Sequence, residues 1–333
     1  MDALSDVLRA VRLTGAIFFD VHASEPWVAE TPGGASIVGR MFPGAEHLVS
    51  YHVMTHGSCW ATVHGGTPIR LSAGDIVVFP QGDGHAMSST PGMRKAPDVA
   101  MYRPPTEGQL PFTISVGDST EESARFVCGF LGCDARPFNP LLAALPSVIR
   151  VSDGAGGAID AFVQFAVAES KQPRLGGECV LGRLSELMFV DVIRRYLETL
   201  PADQTGWLAG LREPFVGRAL TALHRSPAHQ WTLESLAHEV GLSRSALAER
   251  FTQFVGHPPM QYLANWRLQL AANFLQGGTD NITQIAERVG YESEAAFSRA
   301  FKKTVGVPPS QWRKRRNGGD ELAAATPTDS VSP

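Results

Sequence analysis

Apolar and polar positions change period once along the chain, near Leu141. Before it, from about Ala35 to Ser89, short stretches carry strand signatures: EHLVSYHVMT, the alternating SCWATVH, PIRLSAG, and the apolar run GDIVVFP between Gly74 and Pro80. Gly and Pro punctuate them every 8–12 residues, the spacing of an antiparallel sandwich or barrel. Residues 91–111 read as a Pro-rich loop, and FTISV and SARFVCGFLG as further strands. After Leu141 the spacing becomes helical. AIDAFVQFAVAESKQ and VLGRLSELMFVDVIRRYLETL predict a helical hairpin, separated by Pro173, Gly176 and Gly177, preceded by Gly154, Gly156 and Gly157, and ended by Pro201. Val180, Leu184, Leu187, Met188 and Val192 form one stripe of the second helix. That stripe either caps the β domain or makes a homodimer through Leu184 and Met188. Beyond Trp207 the pattern is wholly helical.

These periods give an α+β chain of two domains. They are a barrel or sandwich over 1–150 and an all-α domain over 207–317, joined by a hairpin over 151–206. Residues 318–333 form a small, polar, disordered tail. The length of 333 residues suits two cores. No apolar run is long enough for a membrane helix, the N-terminus lacks a secretory pattern, and four Cys suit a reducing cytoplasm. Charge is unevenly spread. Trp207 to Asn317 holds 14 Lys and Arg against 8 Asp and Glu, net +6, whereas Met1 to Gly206 is net −7. A basic last third fits a polyanion partner, or a solvated surface.

The last third also repeats itself. Ala237, Val240 and Gly241 match Ala286, Val289 and Gly290 at an offset of 49. Phe251, Val255, Gly256, Pro258, Pro259 and Gln261 match Phe301, Val305, Gly306, Pro308, Pro309 and Gln311 at an offset of 50. One residue has therefore entered the second turn. In each copy a short helix (233–240, 282–289) meets a Gly suited to a left-handed cap. Ser243 or Ser293 can then N-cap a second helix, and Pro-Pro forbids its continuation. This is a helix-turn-helix, twice, over 233–255 and 282–305. Trp231, Leu236, Leu247, Phe251, Phe254, Ile285, Phe297 and Phe301 read as core. Between the copies, Pro259 to Gln276 predicts one helix of roughly 27 Å. That rod can set two recognition helices about 34 Å apart, one turn of duplex DNA.

WTLESLA, the A-x-x-VG-x-S turn, GYESEAAFSRAFKK and GVPPSQWR resemble the DNA-binding domain of the AraC/XylS family of transcriptional regulators, over residues 207–316. The resemblance implies double-stranded DNA and RNA polymerase as partners. It places Ser245, Ala248 and Glu249 of the first recognition helix, and Ala295, Ala296 and Arg299 of the second, toward base edges. Glu249 can accept from cytosine but cannot pair with guanine, so Arg244 or Arg250 is expected to share first-site readout. Arg299 is the expected guanine reader. Arg250, Lys302, Lys303, Arg313, Lys314 and the following Arg315 and Arg316 are expected on phosphate.

Gly74-x5-Pro80-x-Gly82-x2-His85 matches the second motif of the cupin barrel, which would place His85 at the barrel mouth. The first motif has lapsed: YHVMTHGSCWATVHGG carries His52 and His56, but no H-x-H pair and no Glu stands between His47 and His85. This disfavours a cupin oxygenase. Residues 1–150 instead resemble the cupin-like sensor of one branch of the same regulator family. Cys59, His85, Cys128 and Cys133, with His52, His56 and His64, make a candidate sensor pocket. Plain packing, a small-molecule site, a redox switch and a metal in the His85/Cys59 region all remain open. No other cofactor is expected. The leading expectation is a signal-responsive transcriptional regulator, against an architectural DNA binder. Activation and repression are not distinguished.

Overall fold

The computed structural model describes residues 2–102, 111–152, 158–171, 174–201 and 203–314. The expected tail, Arg315, Arg316, the glycines at 154, 156 and 157, Pro173 and most of the second half of the Pro-rich loop lie outside the described residues. The described residues form nine strands: β1 (Thr14–Ala23), β2 (Val28–Thr31), β3 (His47–Val63), β4 (Ile69–Ser72), β5 (Asp75–Phe79), β6 (His85–Ser88), β7 (Phe112–Val116), β8 (Ala124–Cys133) and β9 (Ile149–Ser152). The first helices are α1 (Ala3–Ala10), α2 (Val38–Met41), α3 (Pro140–Ala144), α4 (Ala158–Lys171) and α5 (Gly177–Thr199). The last seven are α6 (Trp207–Arg212), α7 (Pro214–Arg225), α8 (Leu233–Val240), α9 (Arg244–Val255), α10 (Pro259–Gly277), α11 (Ile282–Arg288) and α12 (Glu294–Val305).

The chain forms two compact units. One comprises Arg12–Asp134 and Leu145–Pro201; the other gathers Met1–Val11, Ala135–Ala144 and Ala202–Pro333. The division therefore differs from a simple cut at residue 150. The reason is the packing of α1, whose Ala3, Val7 and Ala10 are buried in the helical unit. Gln269 and Asn273 of α10 both donate to the Ala10 carbonyl, at 3.2 and 2.7 Å, and Gln269 accepts from the Phe138 N–H at 2.9 Å. One buried amide thus joins three stretches of the chain.

In the β unit, the main path of the sheet runs β2-β6-β3-β8-β1-β7. β4 and β5 also pair with β3, and β9 pairs with β5. All pairs are antiparallel except β1 with β7. The 17-residue β3 pairs with β5 and β8 through its first half and with β4 and β6 through its second. It changes partners at a register shift between Met54 and His56. Gly57 stands there at φ +69, where a Cβ would lie 2.0 Å from the Ser123 carbonyl oxygen. The stretch 34–41, expected as strand, is helical turns instead. Gly33 and Gly34 break the alternation before Ile37 and Met41 pack inward.

α5 covers the outer face of the sheet chiefly over β1 and also meets β8 and β9, and β5 and most of β3 and β8 are buried along their length. Tyr51 donates to Ser185 Oγ (2.6 Å), which in turn donates to the Leu181 carbonyl. The Tyr51 ring lies where a side chain at Gly129 would be. The helix stripe divides accordingly. Met188 and Val192 are buried, Leu184 is half-buried, and Val180 and Leu187 face solvent. Met188 is therefore not available for a contact between copies. The inner face holds Phe19, Val21, Trp27, Met87, Phe126 and Phe130, the core of the unit.

Candidate nucleic-acid interface and β-unit pocket

The two helix-turn-helix copies are built by the same local chemistry. Gly241 and Gly290 adopt φ +77 and +87. Behind them the Leu242 N–H reaches the Ala237 carbonyl (2.9 Å) and the Tyr291 N–H reaches that of Ala286 (2.8 Å). These bonds run from the residue after each glycine back into the last turn of the preceding helix. Ser243 and Ser293 then accept from the Ala246 and Ala296 N–H groups, both at 3.2 Å. The inserted residue is absorbed between the glycine and the serine, where the second copy has Tyr291 and Glu292 and the first only Leu242. Leu247 and Phe251 of α9, and Phe297 and Phe301 of α12, face the core. The rod α10 has 19 residues, about 28 Å at 1.5 Å per residue.

Burying those faces leaves the opposite ones in solvent. Arg244, Ser245 and Glu249 of α9, and Ala295, Arg299, Lys302 and Lys303 of α12, are exposed; Ala248 and Ala296 are half-buried. Lys314 is exposed. Two expected phosphate contacts are already engaged. Arg250 pairs with Glu213, the N-cap of α7, at 2.9 Å and lies over the Phe215 ring. Arg313 donates to the Asp280 carbonyl at 2.6 Å. Both brace the unit, because Glu213 and the Asp280 carbonyl lie within their reach inside it.

The β unit holds a pocket of about 90 Å³ that opens to solvent on one side. Phe19, Val21, Met87, Phe126 and Phe130 wall it, and His52 and Cys128 line it. Lys95, Ala96, Asp98 and Met101 stand at its exposed edge. Glu30 holds that edge in place: its buried carboxylate accepts from Arg94, the Lys95 N–H and His64. The donors outweigh the desolvation that burial imposes, and its pKa falls below the usual carboxylate range.

His52 of β3 and Cys128 of β8 are directly cross-strand. Their bonds assign every proton. His85 Nδ1 lies 2.9 Å from the Asp83 carbonyl oxygen and must donate. Its Nε2 therefore accepts from His52 Nε2 (2.7 Å), and His52 Nδ1 accepts the Cys128 thiol proton (2.9 Å). Burial keeps all three neutral. It drives His52 well below its ordinary pKa and His85 down to about 4, and raises Cys128 well above the usual thiol value.

A cupin family model matches residues 2–198 and a helix-turn-helix domain model residues 236–315. An AraC-like transcription regulator of Streptomyces lividans is 31% identical over 94% of this chain and 98% of its own length. The chain is an AraC-like transcription regulator. The regulator AlkR of Acinetobacter baylyi is 29% identical over 95% of this chain and all of its own. The solved C-terminal domain of AraT from Geobacillus stearothermophilus is 31% identical, covering 36% of this chain and 94% of its own, with a TM-score of 0.31.

The regulator brings together His52, His85, Cys128 and, in the same core cluster, Cys59. Cys59 donates to the Met54 sulfur at 3.4 Å. Cys133 does not join them. It lies five residues along β8 from Cys128, about 17 Å away and on the other face. His56 is exposed, and His64 serves Glu30. His85 lies at the far end of the relay, wholly buried and stacked on Phe79 at 3.7 Å, rather than opening to the mouth. His52 spends both ring nitrogens on neighbours, so the donors form a chain and do not converge on one point. Among the described residues no three His, Cys, Asp or Glu side chains are grouped to hold a metal ion. No described helix is long and apolar enough to cross a membrane. Glu30, Arg94 and the aromatic walls were not singled out in the sequence. Only the alternation in β1, β2 and β8 could have marked them.

Proposed function

We propose that this regulator is a one-component switch. A small, largely apolar molecule enters the β-unit pocket, and its binding changes how the paired helix-turn-helix motifs engage promoter DNA. The observation that carries this reading is the pocket itself, an aromatic-walled space whose floor holds a fully hydrogen-bonded polar chain. A ligand that favours one of two conformations must shift DNA binding by its difference in affinity for them. Arg299 reads a base in this scheme, and Lys302, Lys303 and Lys314 hold phosphates. No cofactor takes part, in keeping with the engagement of both His52 nitrogens. Contact with RNA polymerase carries the output. A copy-to-copy contact, if the regulator acts as a homodimer, falls to Val180 and Leu187 rather than Met188.

The test screens apolar ketones and alcohols by thermal shift of the full chain, then measures promoter affinity by fluorescence anisotropy with and without each hit. A ligand that raises the melting temperature and changes promoter affinity at least threefold is expected. Narrowing the pocket with Val21→Trp should abolish both effects. Ligands that shift DNA binding equally well in that variant would place the signal elsewhere.

A further inference from the structure

We propose that Cys128 is a covalent capture site: its thiol adds to the activated double bond of an apolar α,β-unsaturated carbonyl compound held in the pocket, with His52 taking the proton. This rests on the reading that the pocket receives a small apolar molecule, and it names the chemical class.

A buried cysteine is ordinarily inert packing. Cys128 differs in three respects. It lines the pocket, although only 6% exposed. Its sulfur lies 2.9 Å from an imidazole nitrogen whose lone pair is directed at it by the proton assignment above. That imidazole is itself fixed from behind by His85, and His85 by the Asp83 carbonyl. Nucleophile, base and orienting groups thus stand in one line, the arrangement that activates a thiol without prior ionisation. Burial keeps the resting thiol protonated, so the proton moves only as the new bond forms. An apolar pocket selects for an apolar electrophile, and a soft sulfur for a soft carbon.

The step balances without a co-reactant. The sulfur pair forms a C–S bond at the β carbon. The C=C π pair moves onto the α carbon and carbonyl oxygen. The thiol proton passes to His52 Nδ1 and from there to the α carbon. The net change is addition of S–H across the double bond, giving a thioether, with nothing oxidised or reduced overall. Thr31, Tyr102 and Lys95 line the pocket and are the donors available to the developing enolate oxygen.

The experiment uses the full chain carrying Cys179→Ser, because Cys179 is the exposed cysteine. The probe is 1-octen-3-one, with saturated 3-octanone as the non-reacting analogue. Intact mass and peptide mapping should show one adduct, at Cys128 and not at Cys59 or Cys133, and none after Cys128→Ala. His52→Gln should slow the reaction about a hundredfold or more, as loss of a general base does, while 3-octanone still shifts the melting temperature. No adduct on the folded chain, an adduct at another buried cysteine first, or an undiminished rate in His52→Gln overturns the proposal. The mapping on the chain with native Cys128 and His52 decides even where a variant fails to fold. If 3-octanone shifts the melting temperature and promoter affinity but the enone leaves no adduct, covalent capture fails and the switch reading stands. If the adduct forms at Cys128 and promoter affinity never moves, the capture site stands and the switch reading fails.

Discussion

Gln269 offers the sharpest energetic test of how the helical unit is assembled. Its side chain is 0% exposed and makes two bonds, accepting from the Phe138 N–H and donating to the Ala10 carbonyl. Gln269→Leu keeps the length and fills most of the space, so the loss is mainly of hydrogen bonds. The Ala10 carbonyl retains Asn273 at 2.7 Å and stays satisfied. The part-buried Phe138 N–H loses this partner, at about 1 kcal/mol, the low end of the cost of an unsatisfied donor. Asn273→Ala alone leaves the Gln269 bond in place and should cost about 1 kcal/mol. The double variant orphans the Ala10 carbonyl as well and should exceed the sum of the singles by about 1–2 kcal/mol. Urea denaturation of the three variants measures the cycle, and hydrogen exchange over residues 3–11 locates the loss. Additivity within about 0.4 kcal/mol, or unchanged exchange in that segment, would refute the three-way joint.

For DNA binding, Arg299→Ala should weaken specific binding by about 1–3 kcal/mol and relax preference at one base pair, measured by competition with single-base operator variants. Equal loss on every sequence would move Arg299 to the phosphate set. Lys302→Ala should weaken binding evenly and make the slope of log affinity against log salt shallower by about one unit. Acid should destabilise the fold. His85 and His224 are held down to about 4 and about 3, so the unfolded chain binds protons that the folded chain refuses. Their contribution is intact above about pH 6.5 and is lost progressively as pH falls toward those values. The melting temperature should drop across that window, and less steeply in His224→Gln. Glu30→Gln leaves the pocket edge with weaker acceptors, and proteolysis near Arg94 and Lys95 should quicken several-fold; an unchanged cleavage rate would show that the edge is held by other contacts.

The helix-turn-helix pair was legible because its determinants are local. Gly241, Ser243, Gly290 and Ser293 cap through bonds to residues within five positions, and the 49-to-50 offset is visible as a longer turn. The cupin-like strands were legible for the same reason, through Gly and Pro at their ends. What escaped depends on distant partners. Nothing near Ala10 announces that residues 259 and 263 positions later will bond to it. The hairpin stripe looked uniform, yet the sheet claims Met188 and Val192 and leaves Val180 and Leu187 in solvent, because α5 lies on its Gly182 and Ser185 side. Cys59, Cys128 and Cys133 looked alike in sequence. Strand parity sets Cys128 inward and Cys133 on the opposite face, and cross-strand register alone brings His52 to Cys128.

The threading of the helical unit also fixes an order of events on the ribosome. The Gln269 and Asn273 side chains that hold residues 1–11 emerge some 260 residues after them. At roughly 5–20 residues per second, the first helix waits about 13–50 s with its apolar stripe unsatisfied. All residues of the β unit lie before Ala202 and have left the ribosome well before then. Its closure ties Arg12 to Asp134 by a bidentate pair at 2.7 and 3.1 Å, which anchors the chain directly after the waiting helix before that helix's partners arrive.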